Sequence, residues 1–156
     1  MARIRGTSGD GRLTGTAEAH LILGLAGNDR LHGGDSDDCL RGGGGDEVLD
    51  GGDGTDRLEG GNGDDLLLGG EGSGVVLGGG GNDEIRAVLR DFSDDAVTMR
   101  AADGTDMLVL PGHDAEPTSR SVLHAEAGSG RITVVGIHNP GVDGGSGDDI
   151  IQLTPV

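Results

Sequence analysis

The sequence predicts an all-β fold, a parallel solenoid of nine-residue units followed by a β-rich C-terminal cap. Three observations predict it. Glycine supplies 35 of the 156 residues, about three times its usual share. The only aromatic ring is Phe92, so no aromatic core can form. From Gly6 to Arg86 the chain repeats every nine residues without insertion or deletion, and a short fixed period is the mark of a stacked-repeat architecture.

The nine units read GTSGDGRLT, GTAEAHLIL, GLAGNDRLH, GGDSDDCLR, GGGGDEVLD, GGDGTDRLE, GGNGDDLLL, GGEGSGVVL and GGGGNDEIR. Position 1 is glycine in all nine. Position 8 is aliphatic in all nine: Leu13, Ile22, Leu31, Leu40, Leu49, Leu58, Leu67, Val76 and Ile85. Position 4 is glycine in seven, and position 6 is acidic in six: Asp29, Asp38, Glu47, Asp56, Asp65 and Asp83. Glycines at positions 1, 2 and 4 tolerate positive φ and close backbone approach, so the first six residues are expected to form a tight turn. The last three are extended, and because strand side chains alternate, position 8 faces inward while 7 and 9 face out. Two units complete one coil, which gives two parallel sheets back to back around a thin aliphatic interior.

Charge narrows the partners. Twenty-eight acidic residues face 11 basic ones, all arginine, for a net charge of −17. That makes nucleic acid and anionic membrane poor partners. No stretch reaches the 18 apolar residues of a membrane span. Met1 to Arg5 run into Gly6 without the apolar segment of an export signal. A chain so charged and so poor in apolar bulk stays disordered unless a cation neutralises it. Calcium takes six to eight hard oxygen ligands, and stacked glycine turns each carrying an acid offer carboxylates and carbonyls together.

The unit G-G-x-G-x-D-x-U-x, met in full at GGDGTDRLE, GGNGDDLLL, GGGGNDEIR and the isolated GGSGDDIIQ, resembles the RTX (repeats-in-toxin) nonapeptide of calcium-binding parallel β-rolls. The resemblance covers residues 6–86. It implies that each ion lies between units i and i+2 on one edge and that position 6 carboxylates are shared along a column. Carried onto this chain, it implies ligands Asp29, Asp38, Glu47, Asp56, Asp65 and Asp83, with the backbone carbonyls of Gly33, Gly42, Gly51, Gly60 and Gly78, and Asp149 in the isolated unit. About 4 to 5 calcium ions result: three on the odd-unit edge and one, or two, on the even-unit edge, where only Asp38 and Asp56 are consecutive acids. Gly11 and His20 depart from the pattern, so the first coil is expected to be a metal-free cap. Asp65 is expected to serve two ions, while Asp10 and Asp53 only decorate turns.

Residues 87–156 form the expected β-rich flanking region, with extended stretches at 96–100, 107–110, 121–124 and 131–137, loops at 111–120 and 138–143, and the lone unit at 144–152. Asp103 to Val109 echo Asp53 to Glu59 at five of seven positions and read as a decayed unit. Phe92 is expected to anchor the cap. His113, His124 and His138 match no local metal motif and read as surface residues. No G-x-S-x-G or H-E-x-x-H motif occurs, so the chain reads as no enzyme. Cys39 falls at an outward position 7 and reads as a free surface thiol. The outward pairs Leu21/Leu23, Leu66/Leu68 and Val75/Leu77 are expected to lie beneath the cap or a partner.

The functional expectation is a calcium-binding module that folds on taking up the ion. The resemblance implies an extracellular protein secreted by the type I route of a Gram-negative bacterium, with an uncleaved signal near Asp148 to Leu153. The alternative is a calcium-dependent adhesive or polysaccharide-binding module attached to a larger secreted protein, with glycan contacts through bridging calcium or Arg30, Arg57 and Arg86.

Overall fold

The computed structural model describes residues 1–72, 74–88, 98–111, 122–125, 131–135, 141–143 and 150–154. These hold sixteen strands and no helix. One sheet stacks β1 (Ala2–Arg5), β3 (His20–Leu23), β5 (Cys39–Gly44), β7 (Arg57–Asn62), β9 (Val75–Gly80), β11 (Thr98–Ala101), β13 (Val122–Ala125) and β15 (Gly141–Asp143) in that order. The other stacks β2 (Arg12–Thr14), β4 (Arg30–Asp35), β6 (Val48–Asp53), β8 (Leu66–Glu71), β10 (Glu84–Val88), β12 (Met107–Pro111), β14 (Arg131–Val135) and β16 (Ile150–Thr154). Every pairing is parallel, and alternate strands go to alternate sheets, the topology of a two-sheet β-roll.

The coil length is the one the period demands. Leu31 pairs with Leu49 and Leu40 with Leu58, each a step of 18 residues. Equivalent positions therefore stack directly, and the inward position 8 becomes one continuous core: Ile22, Leu31, Leu40, Leu49, Leu58, Leu67, Val76 and Ile85 are at most 2% exposed. Ile4 and Leu13 close it partly at the first coil.

Two local features differ from the pattern read in the sequence. The strands of the central coils are six residues long, taking positions 7 to 9 and then 1 to 3 of the next unit, so the turn proper is three residues rather than six. The reason lies at the paired glycines. A Cβ at Gly34, whose φ is +114°, would stand 2.1 Å from the Thr16 carbonyl oxygen. Without one, the backbones of successive coils stay close enough to continue their ladder through the bend.

The second difference follows Arg86. The strands of the expected cap are added to the same two sheets instead of lying over them: β11 pairs with β9 and β12 with β10, followed by β13 to β16. Val76 pairs with Met99 and Ile85 with Leu108, so this coil is five residues longer, yet Met99 and Leu108 enter the core as completely as the leucines before them. A strand also forms at Gly141–Asp143, within the expected loop 138–143, where it pairs with β13. Three residues carry too little alternation to be read as a strand, but an open parallel edge beside them supplies the ladder. Phe92 lies outside the described residues.

The outward apolar pairs do not form one face. Leu21/Leu23 and Val75/Leu77 share a sheet but are separated by Cys39/Arg41 and Arg57/Glu59, and Leu66/Leu68 belong to the other sheet. All six are half-buried. No helix of the described residues is long and apolar enough to cross a membrane.

The two kinds of leucine give the first prediction. Leu58→Ala opens a cavity in a core one side chain thick and lowers stability by about 3 kcal/mol, whereas Leu68→Ala costs under about 1 kcal/mol. Urea melts of both variants in saturating calcium measure the difference.

Candidate metal centre

Because the coils stack in register, the six acids at position 6 fall into two columns, one along each edge of the roll. The odd column runs Gly11, Asp29, Glu47, Asp65 and Asp83, and the even column His20, Asp38, Asp56 and Gly74. All six acids are at most 3% exposed, an extreme burial for carboxylates. One oxygen of most of them is accounted for. The backbone N–H of Asp38 donates to Asp56 Oδ1 (2.9 Å), that of Glu47 to Asp65 Oδ1 (2.8 Å) and that of Asp65 to Asp83 Oδ1 (2.9 Å). Asp56, Asp65 and Asp83, and Asp38 through the His20 N–H, are thus fastened to the coil before them.

The other oxygen is not accounted for. Asp38, Asp56, Asp65 and Asp83 each keep a buried Oδ2 with no hydrogen-bond partner, and both carboxylate oxygens of Asp29 and of Glu47 are in the same state. A buried polar atom left so is costly unless something meets it. These oxygens share a setting. A Cβ at Gly33 would lie 2.5 Å from Asp38 Oδ2 and 2.4 Å from the Gly51 carbonyl oxygen; at Gly60 it would lie 2.2 Å from Asp65 Oδ2 and 2.7 Å from the Gly78 oxygen. The position 1 glycine therefore keeps open a cradle in which its own unit's carboxylate and the next coil's carbonyl converge. Gly42 does the same for Glu47 Oε2 and the Gly60 oxygen, and Gly51 and Gly78 hold Asp56 Oδ2 and Asp83 Oδ2. Among the described residues no three His, Cys, Asp or Glu side chains gather at one point, so any ion here is held by carboxylates together with carbonyls. That all-oxygen set suits a hard cation of the calcium type.

Electrostatics agree. Burial pushes Asp56 and Asp83 from 3.8 up to about 6, and neighbouring carboxylates add to the rise. Burial also raises Asp29, Glu47 and Asp65; for Glu47 the charge of Asp65 is the second cause. Glu47 is one methylene longer than its neighbours, yet it enters the same cradle.

One member of the odd column was not singled out in the sequence. Asp106, in the decayed unit, is 3% exposed, accepts a hydrogen bond from the Asp83 N–H at 2.9 Å, and is raised by burial like the others. The echo of Asp103 to Val109 was the available signal, but the 23-residue step from Asp83 hid its register. Asp149 lies outside the described residues.

A second, exposed ladder runs beside the odd column. Asp10 Oδ1 accepts from the Asn28 N–H, Asn28 Oδ1 from Asp46, Asp46 Oδ1 from Asp64, Asp64 Oδ1 from Asn82, and Asn82 Oδ1 from Thr105, at 2.7 to 3.0 Å. Asp10 is therefore a structural rung rather than a decoration. Asp53 is exposed at the end of β6. Of the arginines considered for a glycan, Arg30 and Arg86 lie on one sheet and Arg57 on the other, and Arg86 is paired with Glu84. Cys39 is a half-buried free thiol.

The raised carboxylates fix a pH dependence for the cation-free chain. A group whose folded pKa exceeds its unfolded value stabilises the fold fully below the unfolded value, and that contribution disappears as pH rises through the folded one. In chelator, β structure should accordingly weaken as pH rises from about 4 to about 6 and beyond, the reverse of ordinary acid denaturation. Circular dichroism across that range tests it; a pH-independent spectrum contradicts the assigned burial.

The profile of the RTX calcium-binding nonapeptide repeat (4 copies) matches residues 5–38, 14–46, 41–76 and 50–85, together more than half of the chain. No curated protein matches it significantly. A roll of 18-residue coils, two columns of buried acids and this match converge: the chain belongs to the RTX calcium-binding nonapeptide repeat family.

Proposed function

We propose that this protein is a secreted module that folds when its two turn columns take up calcium, and that its role is binding and structural rather than catalytic. The observation that carries this reading is the row of buried carboxylate oxygens without partners, each beside a position 1 glycine and, for Asp29, Asp38, Glu47 and Asp65, beside a carbonyl of the next coil as well. In the odd column Asp29, Glu47, Asp65 and Asp83 would hold three ions, one in each interval, and Asp106 would extend the column by a fourth. In the even column Asp38 and Asp56 would hold one. The total agrees with about 4 to 5 ions. The carbonyls of Gly33, Gly42, Gly51, Gly60 and Gly78 complete the oxygen set.

The chain's own residues prepare the sites. Backbone N–H groups hold Oδ1 of Asp38, Asp56, Asp65 and Asp83 toward the preceding coil, which leaves their Oδ2 turned to the cradle. Bound calcium would supply the positive charge that lets adjacent buried carboxylates stay ionised. Without it, 17 excess negative charges oppose compaction. Extracellular calcium modules bind at about 10⁻⁴ to 10⁻³ M, so a chain of this kind stays unfolded where calcium is scarce and folds once exported. The residue 87–156 segment would act in this reading as the region that covers the last well-formed coil, with its strands continuing the roll.

A calcium titration followed by circular dichroism should show cooperative gain of β structure from a disordered chelated state at neutral pH. A chain already folded in chelator at pH 7.5 would sink the proposal.

A companion experiment separates ligand from charge. Asp65→Asn keeps the shape but removes a carboxylate shared by two intervals, so calorimetry should show fewer calcium ions bound and roughly tenfold or more weaker affinity. Asp53→Asn should leave both unchanged. Equal effects would mean a diffuse ion atmosphere instead of defined sites.

A further inference from the structure

The even column begins with a histidine in the place of an acid. His20 is 4% exposed. Its Nε2 meets Thr16 Oγ1 at 3.3 Å, and its Nδ1 is buried with no hydrogen-bond partner. Nδ1 stands 3.4 Å from Asp38 Oδ1, and the His20 backbone N–H donates to that same oxygen at 2.6 Å. The surroundings of Nδ1 repeat those of the carboxylates. A Cβ at Gly15 would lie 1.9 Å from the Gly33 carbonyl oxygen and 3.1 Å from His20 Nδ1, just as Gly33 faces the Gly51 oxygen and Asp38 Oδ2 one coil later. An imidazole nitrogen therefore occupies the place where later coils present a carboxylate oxygen.

That exchange changes which ion the cradle suits. Calcium takes oxygen ligands, whereas imidazole nitrogen with a carboxylate suits zinc and neighbouring first-row ions. The spacing is also right for a smaller ion, since two ligands each about 2.0–2.1 Å from a tetrahedral centre stand about 3.3 Å apart. With Thr16 bound at Nε2, Nε2–H as donor leaves the Nδ1 lone pair free to coordinate, the arrangement in which one ring nitrogen is fixed by a hydrogen bond and the other ligates.

We propose that His20, Asp38 and the Gly33 carbonyl form a site for a zinc-type divalent ion at the N-terminal end of the even column, chemically distinct from the all-oxygen intervals. The first coil is then a metal-clamped end instead of a metal-free one, closing the edge at which the calcium ligands run out. The proposal shares Asp38 and the Gly33 carbonyl with the calcium reading but does not depend on its ion count.

The test is calorimetric titration of Zn²⁺ into the full chain, before and after saturation with Ca²⁺, for wild type, His20→Asn, His32→Asn and His20→Asp. His32 is the control because its Nδ1 also lies near a carboxylate, Asp50 at 3.2 Å, but on the exposed face. The expected result is one tight Zn²⁺ equivalent in wild type, unchanged in His32→Asn and weakened about 100-fold in His20→Asn. Co²⁺ at the same equivalence should give visible ligand-field bands that vanish in His20→Asn. His20→Asp restores the oxygen set, so it should exchange the Zn²⁺ equivalent for one more Ca²⁺. Absence of a tight Zn²⁺ equivalent in wild type, or its survival in His20→Asn, overturns the site. Calcium uptake is read separately in the same series: wild type that binds Zn²⁺ but no Ca²⁺ refutes the calcium reading alone, and unchanged Ca²⁺ uptake in His20→Asn shows that this variant still folds.

Discussion

Stacking in register forces the acids of this roll into lines, with one buried carboxylate above another along each edge, and the rest of the structure depends on how those lines are tolerated. Parallel strands pair at about 4.8 Å, so a repeat that places an acid once per coil places like charges close together out of water. Part of the cost is met internally. The backbone N–H of one coil donates to a carboxylate oxygen of the next along most of the column. The remaining oxygens point into cradles without a donor, and the raised pKa of Asp56 and Asp83 expresses the same burden as a preference for the protonated state. A cation or a proton relieves it, which ties the fold to its ligand.

Glycine earns its abundance at these cradles. At position 1 a side chain would collide with the carboxylate and with the next coil's carbonyl, as at Gly60; at position 2 the backbone bends with positive φ while its ladder continues. The edges also contain a scaffold that uses no buried charge, the Asx ladder from Asp10 to Thr105. Its oxygen acceptors sit in solvent, so it orders the turns without adding to the desolvation of the columns. Cross-coil pairs on the faces, His32 with Asp50 and Arg41 with Glu59, are exposed and contribute little.

The sequence by itself determined the coil, the inside and most of the columns. A strict period of nine with an aliphatic at position 8 leaves one way to stack, and it placed Leu31, Leu49 and Leu67 in the core and Asp29, Glu47, Asp65 and Asp83 on a single edge. These features are local and repeat without interruption, so register at one unit fixes register at the rest. The tertiary structure decided what happens where the count breaks. Five extra residues between β10 and β11 destroy the period, yet an open parallel edge accepts any strand of suitable length. Asp106 rejoined its column and Met99 its core through pairing that no spacing rule could express. It also decided that His20, read from the sequence as a departure that ends the column, aims Nδ1 into the column's own cradle. A side chain's role at a stacked position is set by the coil next to it, 18 residues away in the chain, and only the packed structure brings that coil into contact.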